Sequence, residues 1–190
     1  MQSQLTRTLK SLVLGMPHLV TGGEPKFRAG EDLLAINRLG WPAWITLWSD
    51  AFEHEARLPA YAAADQGNQP PPLRWTGVPA GSRSLVLLIE DPDAPTARPF
   101  LHWAVYNIDP SLPELQKGAR FAVEGKNSML KKGFTGAAPP KGDRAHRYHF
   151  QLFALDRLLE LGDSAGRTAI LSAMRGHVLA AGEVIGTHKR

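Results

Sequence analysis

The sequence of 190 residues contains no cysteine and no long hydrophobic run. The first absence excludes disulfides, a thiolate nucleophile and cysteine-ligated zinc, and it fits both the cytosol and an exported protein. No run approaches the roughly 20 apolar residues of a membrane helix, so no membrane span is expected. The apolar stretch 11–16 is shorter than the roughly seven to fifteen residues of a signal-peptide core. We therefore expect a cytoplasmic protein, with a periplasmic location as the alternative.

Concentrated positive charge and two common enzyme motifs are also missing. The net charge is +4, but the basic residues are dispersed along the chain, whereas nucleic-acid binding favours a concentrated basic stripe. The sequence has neither the Gly-x-Ser-x-Gly of a serine-hydrolase elbow nor the Gly-x-x-x-x-Gly-Lys-Ser/Thr of a phosphate loop. These absences argue against a nucleic-acid partner and against both enzyme classes.

The patterns that are present predict a mainly β protein. Nine of the fifteen prolines fall between residues 70 and 113, which favours short strands and rigid turns. The apolar run 85–89 is typical of a strand buried on both faces, and residues 101–108 and 147–155 alternate as strands do. Apolar residues at helical spacing predict one C-terminal helix that Gly182 ends, followed by a short strand. We therefore predict a β-sandwich with a C-terminal helix.

The first 45 residues differ from the rest of the chain. Apolar residues at helical spacing between Leu5 and Val13 predict a short amphipathic helix. We divide the chain into a partly helical N-terminal extension, 1–45, and a main domain, 46–190. Near the boundary lie Trp41, Trp44 and Trp48. They either pack the extension onto the main domain or form a homodimer contact, because tryptophan is enriched at interface cores.

An acidic, proline-containing turn follows the buried strand. Within it, Asp91 and Asp93 lie two residues apart, so on an extended chain only one of them enters a pocket. The simplest interpretation is an Asx-type turn that ends the strand. Read together with the histidine segments below, Asp91 becomes a candidate pocket residue and Asp93 a turn residue.

Two later segments carry histidines. His102 lies in an apolar strand, where a histidine is more commonly a satisfied core residue than a ligand-binding group. His146 stands at the end of a Pro/Gly-rich loop, and Tyr148 shares its strand face, so a ring nitrogen and a phenol hydroxyl point in one direction. Two histidines and an aspartate also suit zinc or iron, but no helical i, i+4 spacing occurs, and no metal site is predicted.

Taken in order, these segments resemble the phosphatidylethanolamine-binding proteins, and more closely their bacterial, Raf kinase inhibitor-like branch. The resemblance covers about residues 46–187 and rests on the following stretches: Asn68–Trp75, Asp91–Pro95, His102-Trp103, Gly133–Gly136, Pro139–Gly142, His146–Tyr148 and Arg175–Ala180. Each stretch alone is weak, whereas the ordered combination is specific. Phe134 departs from the tyrosine that the family often has there, which removes one hydroxyl near the rim.

The resemblance implies a two-sheet antiparallel β-sandwich with a small anion pocket and no cofactor. By this likeness Asp91, His102, His146 and Tyr148 line the pocket, and its rim is formed by Gly136, Pro139 and Pro140. The implied function is non-catalytic binding of phosphate, carboxylate or phosphorylated headgroups, with modulation of a protein partner as a further role. The alternative is a hydrolase that uses His102, His146 and Asp91 as acid–base groups.

A carboxylate beside an anion requires an explanation. Asp91 is protonated next to the ligand, or it orients one histidine and raises the basicity of that ring, or it accepts a hydrogen bond from a ligand ammonium or hydroxyl. The two imidazoles and the phenol supply the donors for the anion. The first two arrangements predict that binding strengthens as the pH falls toward about 6.

Overall fold

The computed structural model describes residues 28–115 and 122–190. The amphipathic helix predicted between Leu5 and Val13 lies outside these residues. Within them, one five-stranded and one two-stranded antiparallel sheet are present, and helices are few and short. The prediction of a mainly β, two-sheet fold is therefore confirmed.

The larger sheet has the order β5-β4-β3-β6-β7. Its strands are β3 (Ser84–Asp91), β4 (Phe100–Ile108), β5 (Val123–Glu124), β6 (His146–Leu155) and β7 (Val178–His188). Strand β3 lies at the centre and every one of its residues is buried, as the continuous apolar run predicts. The ends of β3 and β6 that carry Asp91 and His146 lie side by side, because Glu90 pairs with His149 in antiparallel register.

The smaller sheet covers one face of the larger one. It consists of β1 (Thr46–Trp48) and β2 (Arg74–Thr76), paired in antiparallel register. Between the two sheets lies a core that includes Ile45, Trp75 and Phe150. Because side chains alternate along each strand, the opposite face of the large sheet needs a second cover.

Residues 34–39 and the C-terminal helix cover that second face. A 3₁₀ turn (Glu31–Leu33) leads into the short helix α1 (Ala35–Arg38), and the C-terminal helix α2 spans Arg167–Met174. These elements pack against the large sheet in a second apolar cluster that includes Leu34 and Ile170. Part of the predicted extension therefore contributes to the folded core, while the division at residue 45 stays a prediction.

The C-terminal helix is shorter than its apolar spacing predicts. The pattern continues to Val178, but α2 ends at Met174. Gly176 adopts a left-handed backbone conformation with φ of +76°, which terminates helices and redirects the chain. The predicted short strand is instead the eleven-residue β7, which begins at Val178.

The tryptophans near the start of the main domain remain partly exposed. Trp41 and Trp44 are 37% and 54% exposed, and their ring centroids lie 5.1 Å apart. Trp48 is intermediate in burial. A homodimer contact through these residues stays a prediction. In residues 28–115 and 122–190, no helix has the length and apolar character needed to cross a membrane.

Candidate functional site

Asp91 ends β3 and faces the next strand with one carboxylate oxygen. Its Oδ1 accepts hydrogen bonds from the backbone N–H groups of Asp93 and Ala94, at 2.8 and 3.0 Å. This is an Asx turn, in which the side chain replaces a backbone acceptor. The turn fixes the carboxylate, and its Oδ2 lies 2.7 Å from Nδ1 of His146. The acidic, proline-containing turn after β3 therefore both ends the strand and orients the Asp91 carboxylate toward His146.

His146 lies between two carboxylates. Its Nδ1 contacts Asp91, and its Nε2 lies 3.1 Å from Oδ2 of Asp143. A backbone hydrogen bond from the Asp143 N–H to the Pro140 carbonyl, at 3.1 Å, closes the turn that positions Asp143, and Gly142 supplies the positive φ that such a turn needs. Sequence reasoning missed Asp143, although its place three residues before His146 was a usable signal.

The two carboxylates set the charge of His146. Burial lowers the pKa of this imidazole, but the hydrogen bonds and charges of Asp91 and Asp143 outweigh burial, so the pKa rises above 6.5. Burial raises the pKa of Asp143, but its bonds to His146 and Arg28 outweigh this and bring it below 3.8. Ionised carboxylates only accept hydrogen bonds, so both ring nitrogens of His146 donate. Of the three arrangements considered for Asp91, this geometry corresponds to the one in which it orients a histidine.

His102 reaches the site through a β-bulge. Ile89 pairs with Trp103 and Glu90 pairs with Leu101, so His102 is an extra residue in β4. Strict alternation places His102 on the face of Ala104, but a bulge re-aims a side chain. The imidazole instead packs edge-on against the ring of Tyr148, at a centroid distance of 5.1 Å.

The loop before β6 fixes the ring of His102. Nδ1 of His102 donates to the Thr135 carbonyl at 2.6 Å, and the Thr135 N–H donates to the His102 carbonyl at 2.9 Å. Burial lowers the pKa of His102 below 6.5 despite the nearby charge of Asp91. His102 is therefore the neutral imidazole of the site, with Nε2 left as an acceptor.

Tyr148 brings a buried hydroxyl without a partner. The residue is 2% exposed, and its phenol oxygen has no hydrogen-bond partner among the residues that the structure describes. Burial and the charge of Asp91 raise the pKa of this phenol and outweigh the nearby backbone of Ala138, which lowers it, so the hydroxyl keeps its hydrogen. A buried, unpaired hydroxyl costs about 1–3 kcal/mol, and any hydrogen-bond acceptor that reaches it would offset this cost.

Asp93 bonds to two arginines, Arg144 and Arg147. Arg147 donates to its carboxylate from the backbone N–H at 3.0 Å and from Nε and Nη2, both at 2.9 Å, and Arg144 donates from Nη2 at 2.6 Å. Burial raises the pKa of Asp93, but these bonds and charges outweigh it and lower the pKa to about 2. Asp93 thus holds the chain ahead of β6 to the turn after β3.

The proposed rim residues lie at different distances from this centre. Gly136 approaches residues 62–64 so closely that a Cβ would stand 2.6 Å from the Ala62 carbonyl oxygen. Its N–H donates to the Asn68 side chain at 2.7 Å. Pro140 accepts the bond that closes the Asp143 turn, and Pro139 is buried. Gly136 and Pro140 thus bond to neighbouring loops, and the backbone of Gly136 also lies beside His102, whose pKa it raises against the effect of burial. Their role as the rim of a pocket stays a prediction.

Arg28 is a further site residue that the sequence did not indicate. Its Nη2 donates to Oδ1 of Asp143 at 2.6 Å, its Nη1 donates to the Asp93 carbonyl, and Nη1 lies 3.3 Å from Nε2 of His146. No local pattern marked it, because its partners lie far away in the sequence. Within the described ranges, no group of three or more His, Asp or Glu side chains is arranged to hold a metal ion.

Comparison with known proteins assigns the chain to a family. A family model described as "Phosphatidylethanolamine-binding protein" matches residues 48–189. The chain belongs to the phosphatidylethanolamine-binding protein family. The resemblance inferred from the sequence is therefore confirmed, and family membership supports a role in binding rather than a specific ligand.

Relatives within the phosphatidylethanolamine-binding protein family differ in how much of the chain they match. A UPF0098 protein from Methanothermobacter thermautotrophicus is 38% identical over 153 residues, which cover 77% of this chain and 99% of that protein. A UPF0098 protein from Pyrococcus abyssi is 31% identical over 195 residues, which cover 98% of this chain and 98% of that protein. The second alignment therefore extends into the N-terminal region that the family model leaves out.

Solved structures show the same fold. CT736 from Chlamydia trachomatis, a phosphatidylethanolamine-binding protein homolog, superposes with a TM-score of 0.72 at 35% identity over 78% of this chain and 99% of its own. YbcL from E. coli, described as a member of the mammalian family, gives 0.74 at 28% identity over the same shares. Both chains match the sandwich almost completely.

Proposed function

We propose that this protein binds a small phosphorylated or carboxylated ligand between Asp91, His102, His146 and Tyr148. The observation that carries the proposal is the buried Tyr148 hydroxyl, which has no partner among the described residues. An anionic oxygen accepts the hydrogen bond that this phenol offers. A phosphate or carboxylic acid group that retains one hydrogen also donates to the free Nε2 of His102, so the neutral imidazole suits the same ligand.

The charge of His146 makes this binding depend on pH. Its pKa is raised above 6.5, so the imidazolium persists to a higher pH than an ordinary histidine and is lost as the pH rises through the raised value. An anion is attracted by the imidazolium and repelled by the two carboxylates that remain when the proton leaves. We therefore expect affinity for the anion to fall between pH 6 and pH 9.

Titration calorimetry with inorganic phosphate and with phosphoethanolamine tests the proposal. Tyr148→Phe removes only the hydroxyl, and we expect it to weaken phosphate binding about tenfold, which corresponds to one lost hydrogen bond to a charged group. Tyr61→Phe is the matched control, because Tyr61 is 38% exposed. Unchanged affinity in Tyr148→Phe would contradict the proposal. Equal affinity of the wild type at pH 6 and pH 9, after correction for ligand ionisation, would also contradict it.

The hydrolase alternative has less support from the geometry. Both ring nitrogens of His146 lie within hydrogen-bond distance of a carboxylate, and in the protonated ring neither nitrogen has a lone pair with which to accept a proton from water. The lowered pKa of His102 makes it a weak base. Modulation of a protein partner is a further step that would build on ligand binding, and the family resemblance is its only support.

A further inference from the structure

Arg28 contacts residues of the proposed site although it lies outside the range 48–189 that the family model matches. Its side chain is 15% exposed. The guanidinium contacts Asp143, the carbonyl of Asp93 and the ring of His146. It therefore reaches the same group of atoms in which we propose that the ligand lies.

The backbone around Arg28 is held firmly to the large sheet. The Gly30 N–H donates to the Pro92 carbonyl at 3.2 Å, next to Asp91. Further along, the Ala35 N–H donates to the buried carboxylate of Glu90 at 2.8 Å, and the Ile36 N–H donates to the Gln151 side chain at 2.7 Å. These bonds fix where the segment lies, so the guanidinium is presented to the pocket in one place.

The charges at the centre of the pocket balance only when Arg28 is counted. Asp91 and Asp143 carry two negative charges, and protonated His146 carries one positive charge. Arg28 supplies the second positive charge, while the other two nearby arginines already pair with Asp93 and Glu31. Without Arg28, a buried centre with an excess of negative charge would repel an anion.

The guanidinium also has hydrogens to spare. Arginine has five N–H donors, and the contacts with described residues engage one hydrogen of Nη1 and one of Nη2. In the imidazolium form, Nε2 of His146 is itself a donor. The 3.3 Å separation between this atom and Nη1 of Arg28 is therefore a contact between two cations, both of which donate to Asp143. The remaining hydrogens are available to the oxygens of a ligand, and guanidinium geometry matches phosphate and carboxylate.

We propose that Arg28 is a ligand-binding residue of this pocket, whose guanidinium provides the positive charge that lets an anion lie beside Asp91 and Asp143. This inference rests on the proposed function, because it assigns a residue to that same site. It extends the binding site to a segment that precedes the family's sandwich. It also explains how an anion can lie beside Asp91, since the positive charges of Arg28 and of protonated His146 neutralise the two carboxylates.

Calorimetric titration of inorganic phosphate at pH 6 tests the role of Arg28. We expect Arg28→Gln to weaken binding about tenfold or more, because it removes a charge-assisted donor. Arg28→Lys keeps the charge but loses the forked geometry, so its affinity should lie between that of Arg28→Gln and that of the wild type. Arg98→Gln is the control, because Arg98 is an exposed arginine whose side chain contacts Thr168 in α2.

The outcomes separate this inference from the proposed function. Failure of the wild-type protein to bind phosphate or phosphoethanolamine would overturn both. If the wild type binds and Arg28→Gln binds equally well, only the role of Arg28 is wrong. Tighter binding by Arg28→Gln would also overturn the role of Arg28, since the arginine side chain would then occupy the space that the ligand needs. Near-ultraviolet circular dichroism shows whether each variant keeps the native fold, and Arg28→Lys tests the charge if Arg28→Gln does not fold.

Discussion

Replacing Asp93 by asparagine removes one charge from the most heavily bonded carboxylate near the pocket. The side chain is 2% exposed and pairs with Arg144 and Arg147. Asparagine has almost the same shape, but it cannot carry the charge that these two guanidinium groups face. We therefore expect Asp93→Asn to lower the free energy of unfolding without changing the topology of the sheet.

The pKa of Asp93 gives the size of this effect. It falls from 3.8 to about 2 in the folded protein, and each pKa unit is worth about 1.4 kcal/mol, so the ionised form contributes roughly 2 kcal/mol. Because the folded pKa is lowered, this contribution is present above pH 3.8 and is lost as the pH falls through 2. The difference between wild type and Asp93→Asn should therefore shrink over that range.

Urea unfolding measured from pH 7 down to pH 2 checks this prediction. Urea is uncharged and so leaves ion pairs unscreened, unlike guanidinium chloride. Asp50→Asn is the control, since Asp50 pairs with Arg74 at 3.3 Å on the surface and its side chain is 57% exposed; we expect a change below about 1 kcal/mol. A deficit in Asp93→Asn that stays constant from pH 7 to pH 2, or no deficit at pH 7, would refute the reasoning.

Two further predictions concern a close backbone contact and a buried ion pair. Gly182→Ala places a Cβ 2.1 Å from the carbonyl oxygen of Ile45, so a thermal melt should show destabilisation of about 1–3 kcal/mol, whereas Gly162→Ala, with nothing within 4 Å, should melt like the wild type. Arg167→Met leaves the fully buried Glu90 without its cation, so urea unfolding at pH 7 should show a loss of about 3 kcal/mol. A normal melting temperature for Gly182→Ala, or a wild-type urea midpoint for Arg167→Met, would contradict the corresponding prediction.

The strands could be predicted because their patterns arise from local chemistry. The apolar run of β3 predicts a strand that is buried on both faces, and the structure shows this burial. The alternation of β6 predicts a strand with one buried face, whereas every residue of β6 except Arg147 is buried. Predictions from local sequence pattern failed where a single residue interrupts the alternation of a strand or the apolar spacing of a helix. The extra residue at His102 reverses a face of β4, and the left-handed Gly176 ends α2 before its apolar spacing does.

The site could be predicted only in part, because some of its residues come together through contacts between distant parts of the sequence. The Asx turn at Asp91 and the shared strand face of His146 and Tyr148 follow from short stretches of sequence. Arg28 could not be found in that way, since it lies 118 residues from His146 and reaches the pocket only after the chain has folded over the sheet. Asp143 lies between these cases, with a local turn signal but a function that only its partners reveal.

The hydrogen bonds that hold residues 28–36 bear on how the chain folds as it is synthesised. This segment leaves the ribosome before its partners, which follow 55 residues later at Glu90, 115 residues later at Gln151 and 134 residues later at Arg167. Contacts of such sequence separation form slowly, because a long loop must close first. The segment with Arg28 therefore reaches its final position only after Arg167 has emerged, so the arrangement of Arg28, Asp143 and His146 forms late in folding.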